Sequence, residues 1–181
     1  LPLMIWLIDG AGAGRLGGIP AAALSGWWFG FGYFTAGLYW IGYAFLVDAE
    51  TFAWLLPFAV MGLPAGLALF MAFGFALARL IWVPGALRIL SLASALTFSE
   101  WLRGHILTAG EWLRGHLFTG FPWNTFGYAL TEPLALAQIA SLVGLWGLTF
   151  IALVVFASPA VLADDRAITR RPWIALAVSL V

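Results

Sequence analysis

One stretch of this chain gathers most of the groups that could do chemistry. Glu111, Arg114, His116, Thr119, Pro122, Trp123, Asn124 and Tyr128 lie within eighteen positions of one another. Glu111 and Arg114 stand three apart, so on a helix they share a face and can pair. Gly115 and Gly120 are expected to break that helix, and Pro122 to redirect the chain. Ionisable residues at membrane depth are functional candidates by default. The plainer alternative is an interfacial helix end, with Arg snorkelling and Trp anchoring.

Other constellations carry less. His105 and His116 are the only histidines, and Glu100 and Glu111 the only acids near them. A metal site needs several converging ligands, so neither a metal ion nor a cofactor is expected. None of the seven serines stands in a GxSxG elbow. Gly10-Ala-Gly-Ala-Gly-Arg15 places Arg where a dinucleotide fingerprint needs Gly, and reads as a turn. Cys and Lys are absent altogether. That excludes a disulfide scaffold, a zinc-thiolate site and Cys or Lys nucleophiles within these residues.

The elements that must position these groups follow from composition. The 181 residues are 64% hydrophobic and 9% charged, with a mean hydropathy of +1.01. A soluble domain carries roughly 25% charged residues. With eight Arg against eight acids, no basic surplus exists to bind nucleic acid. The composition is that of an all-α integral membrane protein resting in a lipid bilayer. Charges punctuate four expected spans, near 21–47, 51–78, 84–103 and 134–162. Two apolar ends, Leu1–Ile8 and Pro172–Val181, are too short to cross alone and read as cut spans. Each segment is expected to be helical, because backbone in lipid must satisfy its own hydrogen bonds. The runs lack the alternation of barrel strands. Pro57 and Pro64 should kink the second span. GxxxG spacings at Gly26–Gly30 and Gly62–Gly66 permit close packing, but chance accounts for them in a chain with 21 Gly.

Six segments leave five loops on alternating sides. The odd loops hold Arg15, Arg79, Arg88, Arg166, Arg170 and Arg171; the even loops hold Arg103 and Arg114. The positive-inside rule turns the odd loops to the cytoplasm and the fourth, Glu100–Pro133, outward.

A tandem duplication interrupts this region. Glu100–Gly110 is followed at once by Glu111–Phe121, with Glu-Trp-Leu-Arg-Gly-His identical in both copies. Eleven residues are close to three helical turns, so a helical insert nearly preserves the facing of side chains. It would also displace the downstream residues by about 16 Å.

The string from Glu111 through Phe121-Pro-Trp-Asn124 to Gly127-Tyr128 closely resembles the signature of bacterial apolipoprotein N-acyltransferases. Leu134–Phe150 and Gly26–Ile41 are similar to further parts of that family, so the resemblance runs along nearly the whole chain. It implies a Gram-negative inner-membrane enzyme that moves an acyl chain from a phospholipid to the N-terminal cysteine amine of an apolipoprotein, through a thioester. It implies eight membrane helices around a periplasmic nitrilase-like domain with a Glu-Lys-Cys triad. On this reading residues 1–181 are a transmembrane fragment that holds lipid and substrate, with the Glu100–Pro133 loop periplasmic. The catalytic domain is absent from the chain, and no residue in it is catalytic. Pro122, Trp123, Asn124 and Tyr128 are expected at the substrate or lipid entrance, with Glu111 and Arg114 bracing it. The second copy joins the downstream motif at the family spacing, which makes the first copy the surplus one. The alternative is a non-catalytic subunit that binds lipid or scaffolds a partner.

Overall fold

The computed structural model describes residues 1–12, 17–114, 124–132 and 134–162, with backbone alone for 107–114 and 162. Among the described residues every regular element is a helix, as expected. α1 (Pro2–Asp9), α2 (Ile19–Leu38) and α4 (Leu63–Leu80) each carry Pro in the first turn. The missing N–H is harmless there and the fixed φ suits the helix. Short α3 (Ala49–Phe52) precedes α4, and α5 (Arg88–Arg114) is the longest element. Short α6 (Leu134–Ala137) leads to α7 (Ala140–Ala157) and α8 (Pro159–Leu162).

Several expected boundaries move. The first full span ends as an α-helix at Leu38 and continues to Leu46 as a tighter 3₁₀ helix. The second contains 3₁₀ and π segments at Ala53–Leu55 and Phe58–Gly62, around the two prolines whose missing donors loosen the ladder. The last is interrupted at Gly144, whose φ of 68° lies in the left-handed region. The largest correction concerns the fourth loop. Residues 100–114 are helix, not loop, and Arg103 lies inside the bundle. Pro172–Val181 lies outside the described residues.

Among the described residues, two helical stretches are long and apolar enough to cross a membrane, Ala49–Leu80 and Ala140–Val161. α2 and α5 have the length, at 20 and 27 residues. Their apolar content is diluted, in α2 by Gly and Ser and in α5 by three Ser, Glu100 and Arg103.

Consecutive long helices pack antiparallel. A Cβ on Gly26 would stand 2.7 Å from Phe75 Cβ, and one on Gly30 2.6 Å from Met71 Cβ. The Gly26–Gly30 pair therefore forms a real α2–α4 contact, contrary to the chance reading, while nothing approaches Gly62 or Gly66. Trp27 Nε1 donates to the Ala65 carbonyl at 3.2 Å. α4 meets α5 where Gly74 abuts Leu96 and the Ser99 hydroxyl donates to the Phe70 carbonyl. α5 meets α7 where Gly104 lies under the Trp146 ring. Phe34, Phe75, Met4, Ile5, Ile8, Leu92 and Leu96 fill the core.

One end of the bundle is tied by charge. Arg88 Nη1 lies 2.7 Å from Asp9 Oδ2, and Trp82 Nε1 donates to Asp9 Oδ1 at 2.9 Å. Arg79 donates to the Gly12 carbonyl at 2.6 Å. The first and third loops thus share an end, as the alternation requires.

Candidate functional site

At the opposite end, polar groups gather where an apolar bundle should have few. α5 carries Glu100 and Arg103 one turn apart, and both are about 3% exposed. Glu100 Oε1 and Arg103 Nη2 face each other at 3.9 Å. A charge taken from water demands compensation, and several neighbours supply it. The Arg103 guanidinium sits over the Phe34 ring, 5.3 Å from its centroid, which attracts a cation through the ring quadrupole. The Phe126 amide and the Thr149 hydroxyl face the Glu100 carboxylate without closing to full hydrogen bonds. Tyr33 stands next to Phe34, with ring centroids 5.2 Å apart.

The chain re-enters this cluster at Asn124. Its main-chain carbonyl accepts a 2.9 Å hydrogen bond from the Tyr33 hydroxyl. Its φ of 59° is left-handed, which Asn tolerates better than most residues. Its side chain lies against Gly37, where any Cβ would collide with Asn124 Nδ2. A 3₁₀ turn, Phe126–Leu130, comes next. Phe126 stacks with Tyr33 at 5.1 Å between ring centroids. Gly127 presses on α7, since a Cβ there would come within 2.8 Å of Thr149 Oγ1 and 2.9 Å of the Leu145 carbonyl. Half-buried Tyr128 lies in the turn, and its carbonyl accepts from the Thr131 amide and hydroxyl.

Beside the cluster, α5 and α7 enclose a groove of about 450 Å³ lined by Ser94, Thr97, Phe98, Trp101, Trp146 and Phe150. His105 packs against two of these rings, Trp101 and Trp146, with centroids 4.1 and 6.4 Å away. The groove is an almost wholly apolar slot, of a kind that suits an apolar chain.

Of the residues expected here, Asn124 is brought to the cluster, and Tyr128 lies in the turn that follows it. Pro122 and Trp123 lie outside the described residues, as do the side chains of Glu111 and Arg114, whose backbone continues α5. No group of three or more metal-ligating side chains converges among the described residues. Tyr33, Phe34, Glu100, Arg103 and Thr149 were not expected as site residues from sequence. For Glu100 and Arg103 a signal existed: two charges three apart after eleven uncharged residues of an apolar span.

A family profile described as "Apolipoprotein N-acyltransferase N-terminal domain" matches residues 1–110 and 105–158. The two matches share residues 105–110, inside the duplication. A protein of Rhodopseudomonas palustris named "Apolipoprotein N-acyltransferase" is 65% identical over 99% of this chain and 31% of its own length. Proteins of that name from Bradyrhizobium diazoefficiens and Brucella suis are 62% and 49% identical over 99% of this chain. The chain spans less than a third of the length of these curated relatives. No solved structure matches it.

Proposed function

The chain belongs to the apolipoprotein N-acyltransferase family, and on that premise we propose that residues 1–181 are a membrane-domain fragment of such an enzyme, holding lipid and lipoprotein beneath a catalytic domain carried elsewhere in the whole protein. The reaction is transfer of an acyl chain from a phospholipid to the N-terminal cysteine amine of an apolipoprotein. A thioester intermediate needs a thiol, and these residues contain no Cys.

The observation that carries the reading is the apolar groove between α5 and α7, on the same long helix that carries the buried Glu100–Arg103 pair. On this reading an acyl chain lies in the groove, and Pro122, Trp123, Asn124 and Tyr128 serve as the substrate or lipid entrance. Four spans, 19–46, Ala49–Leu80, α5 and Ala140–Val161, cross the inner membrane. The Asn124 end faces the periplasm. Six of the eight Arg assigned to the odd loops support that orientation. Well-exposed Trp28, Trp54, Phe58, Leu69 and Leu142 support contact with lipid.

The test uses the full-length protein reconstituted with phospholipid and an apolipoprotein, read by the mass of the acceptor's N-terminal peptide. Trp123→Ala at the entrance and Ser94→Trp in the groove should each lower turnover at least tenfold. Wild-type turnover in both would turn the reading toward a scaffolding subunit.

A further inference from the structure

We infer that the first copy of the tandem repeat, through Glu100 and Arg103, is the one that positions the Asn124–Leu130 segment, and that the second copy is not needed for it. The importance of that segment rests on the function proposed above; the assignment of the copy rests on geometry alone.

The register of α5 decides between the copies. Two identical six-residue strings could in principle exchange places by sliding the helix one repeat. The residues ahead of the repeat forbid it. A slide of eleven positions would move Ser99 to the place of Arg88, opposite Asp9, and abolish that ion pair. It would bring Gly110 to the place of Ser99 and remove the hydroxyl bonded to the Phe70 carbonyl. Worst, it would drive Arg103 into the site of Leu92, which is fully buried among apolar groups. An unpaired charge there is costly. Unrepeated residues therefore lock the register, and the locked register seats Glu100 and Arg103 in the cluster. The helical part of the second copy starts about 16 Å further along α5.

The downstream anchor agrees. Arg103 sits over Phe34, whose ring is 5.2 Å from that of Tyr33, and the Tyr33 hydroxyl donates to the Asn124 carbonyl. The path between them needs no more chain than a single copy supplies. In a single-copy chain nine residues would join the motif Arg to the Asn, as residues 115–123 follow Arg114 here. Nine residues reach up to roughly 30 Å, ample for two groups held by Phe34 and Tyr33, which are adjacent on α2. The bracing role read from sequence onto Glu111 and Arg114 thus falls to Glu100 and Arg103.

A proximity reporter tests this without relying on acyl transfer. Gly37→Cys and Asn124→Cys, placed together in the full-length protein, should form a disulfide on mild oxidation, mapped by proteolysis and mass spectrometry. Glu100→Gln with Arg103→Met removes both charges at once, so no lone charge is left in the core. It should lower the cross-link yield at least fivefold. Glu111→Gln with Arg114→Met should leave the yield within twofold of the parent. The charge swap Glu100→Arg with Arg103→Glu should restore at least half of the loss, which mere space-filling would not. If the first pair of substitutions does not accumulate in membranes, the swap and the second-copy pair still decide the matter. An unchanged yield in the first-copy variant, no recovery in the swap, or an equal drop in the second-copy variant overturns the assignment. The expected cross-link pattern beside normal turnover of Trp123→Ala would sink the entrance reading while this inference stands.

Discussion

The Tyr33 hydroxyl donates a 2.9 Å hydrogen bond to the main-chain carbonyl of Asn124, joining α2 to a residue 91 positions later in the chain. This bond spans the duplication. It holds the downstream motif to the bundle although eleven additional residues stand between them, so the 16 Å displacement a helical insert could impose does not separate Asn124 from the bundle.

Tyr33→Phe should therefore lower stability by about 1 kcal/mol, the usual net worth of one such bond. Asn124→Ala and Asn124→Gly both lose the cover over Gly37. Only Ala must also hold a left-handed backbone, at about 1–2 kcal/mol. Thermal unfolding in detergent should rank parent above Gly above Ala; equal midpoints for Gly and Ala would mean that the φ of 59° carries no strain.

The two GxxxG spacings should behave in opposite ways. Gly30→Val puts branched carbon into Met71 and the Ala68 backbone, and should cost about 2–3 kcal/mol from overpacking. Gly66→Ala meets nothing within 4 Å and should be neutral or stabilising by up to about 1 kcal/mol. Yield and unfolding temperature of the two purified variants check this.

Asp9→Ala should destabilise the charged end of the bundle. It strips the counterion from Arg88, whose side chain is 10% exposed, and removes the acceptor for Trp82. Asp9 itself is 35% exposed. The expected loss is thus about 2–3 kcal/mol, below the value for a fully buried pair. Arg88→Met with Asp9→Ala should recover part of it, as read by thermal unfolding of both variants.

Gly127→Ala should push the Phe126–Leu130 turn off α7, because the new methyl meets Thr149 Oγ1 and the Leu145 carbonyl. A loss of about 1–3 kcal/mol is expected, together with a weaker Gly37–Asn124 cross-link.

How much of this was legible beforehand depends on the scale of the signal. Helical class follows from long uncharged runs, and the family from the Phe-Pro-Trp-Asn string, because both are local patterns. The course of α5 through residues 100–114 was not legible: Gly104 and a cluster of charges look like a loop. Only the helix's neighbours, Trp146 over Gly104 and Phe34 beneath Arg103, reveal a packed surface. The role of Tyr33 was equally hidden, since one tyrosine among ten aromatics between 27 and 45 looks like interfacial bulk. The inferred choice of the first repeat copy was hidden for a related reason. Distance along the chain to Phe-Pro-Trp favoured the second copy, whereas α5's register depends on Arg88, Leu92 and Ser99, which lie upstream of both.

The identity of the two Glu-Trp-Leu-Arg-Gly-His strings has a genetic side. Removing residues 100–110 or residues 106–116 yields the same amino-acid sequence, so the loss of either stretch leaves one intact copy of the string. The residues that set the register of α5, Arg88, Leu92 and Ser99, lie upstream of both stretches and stay in place whichever eleven are removed.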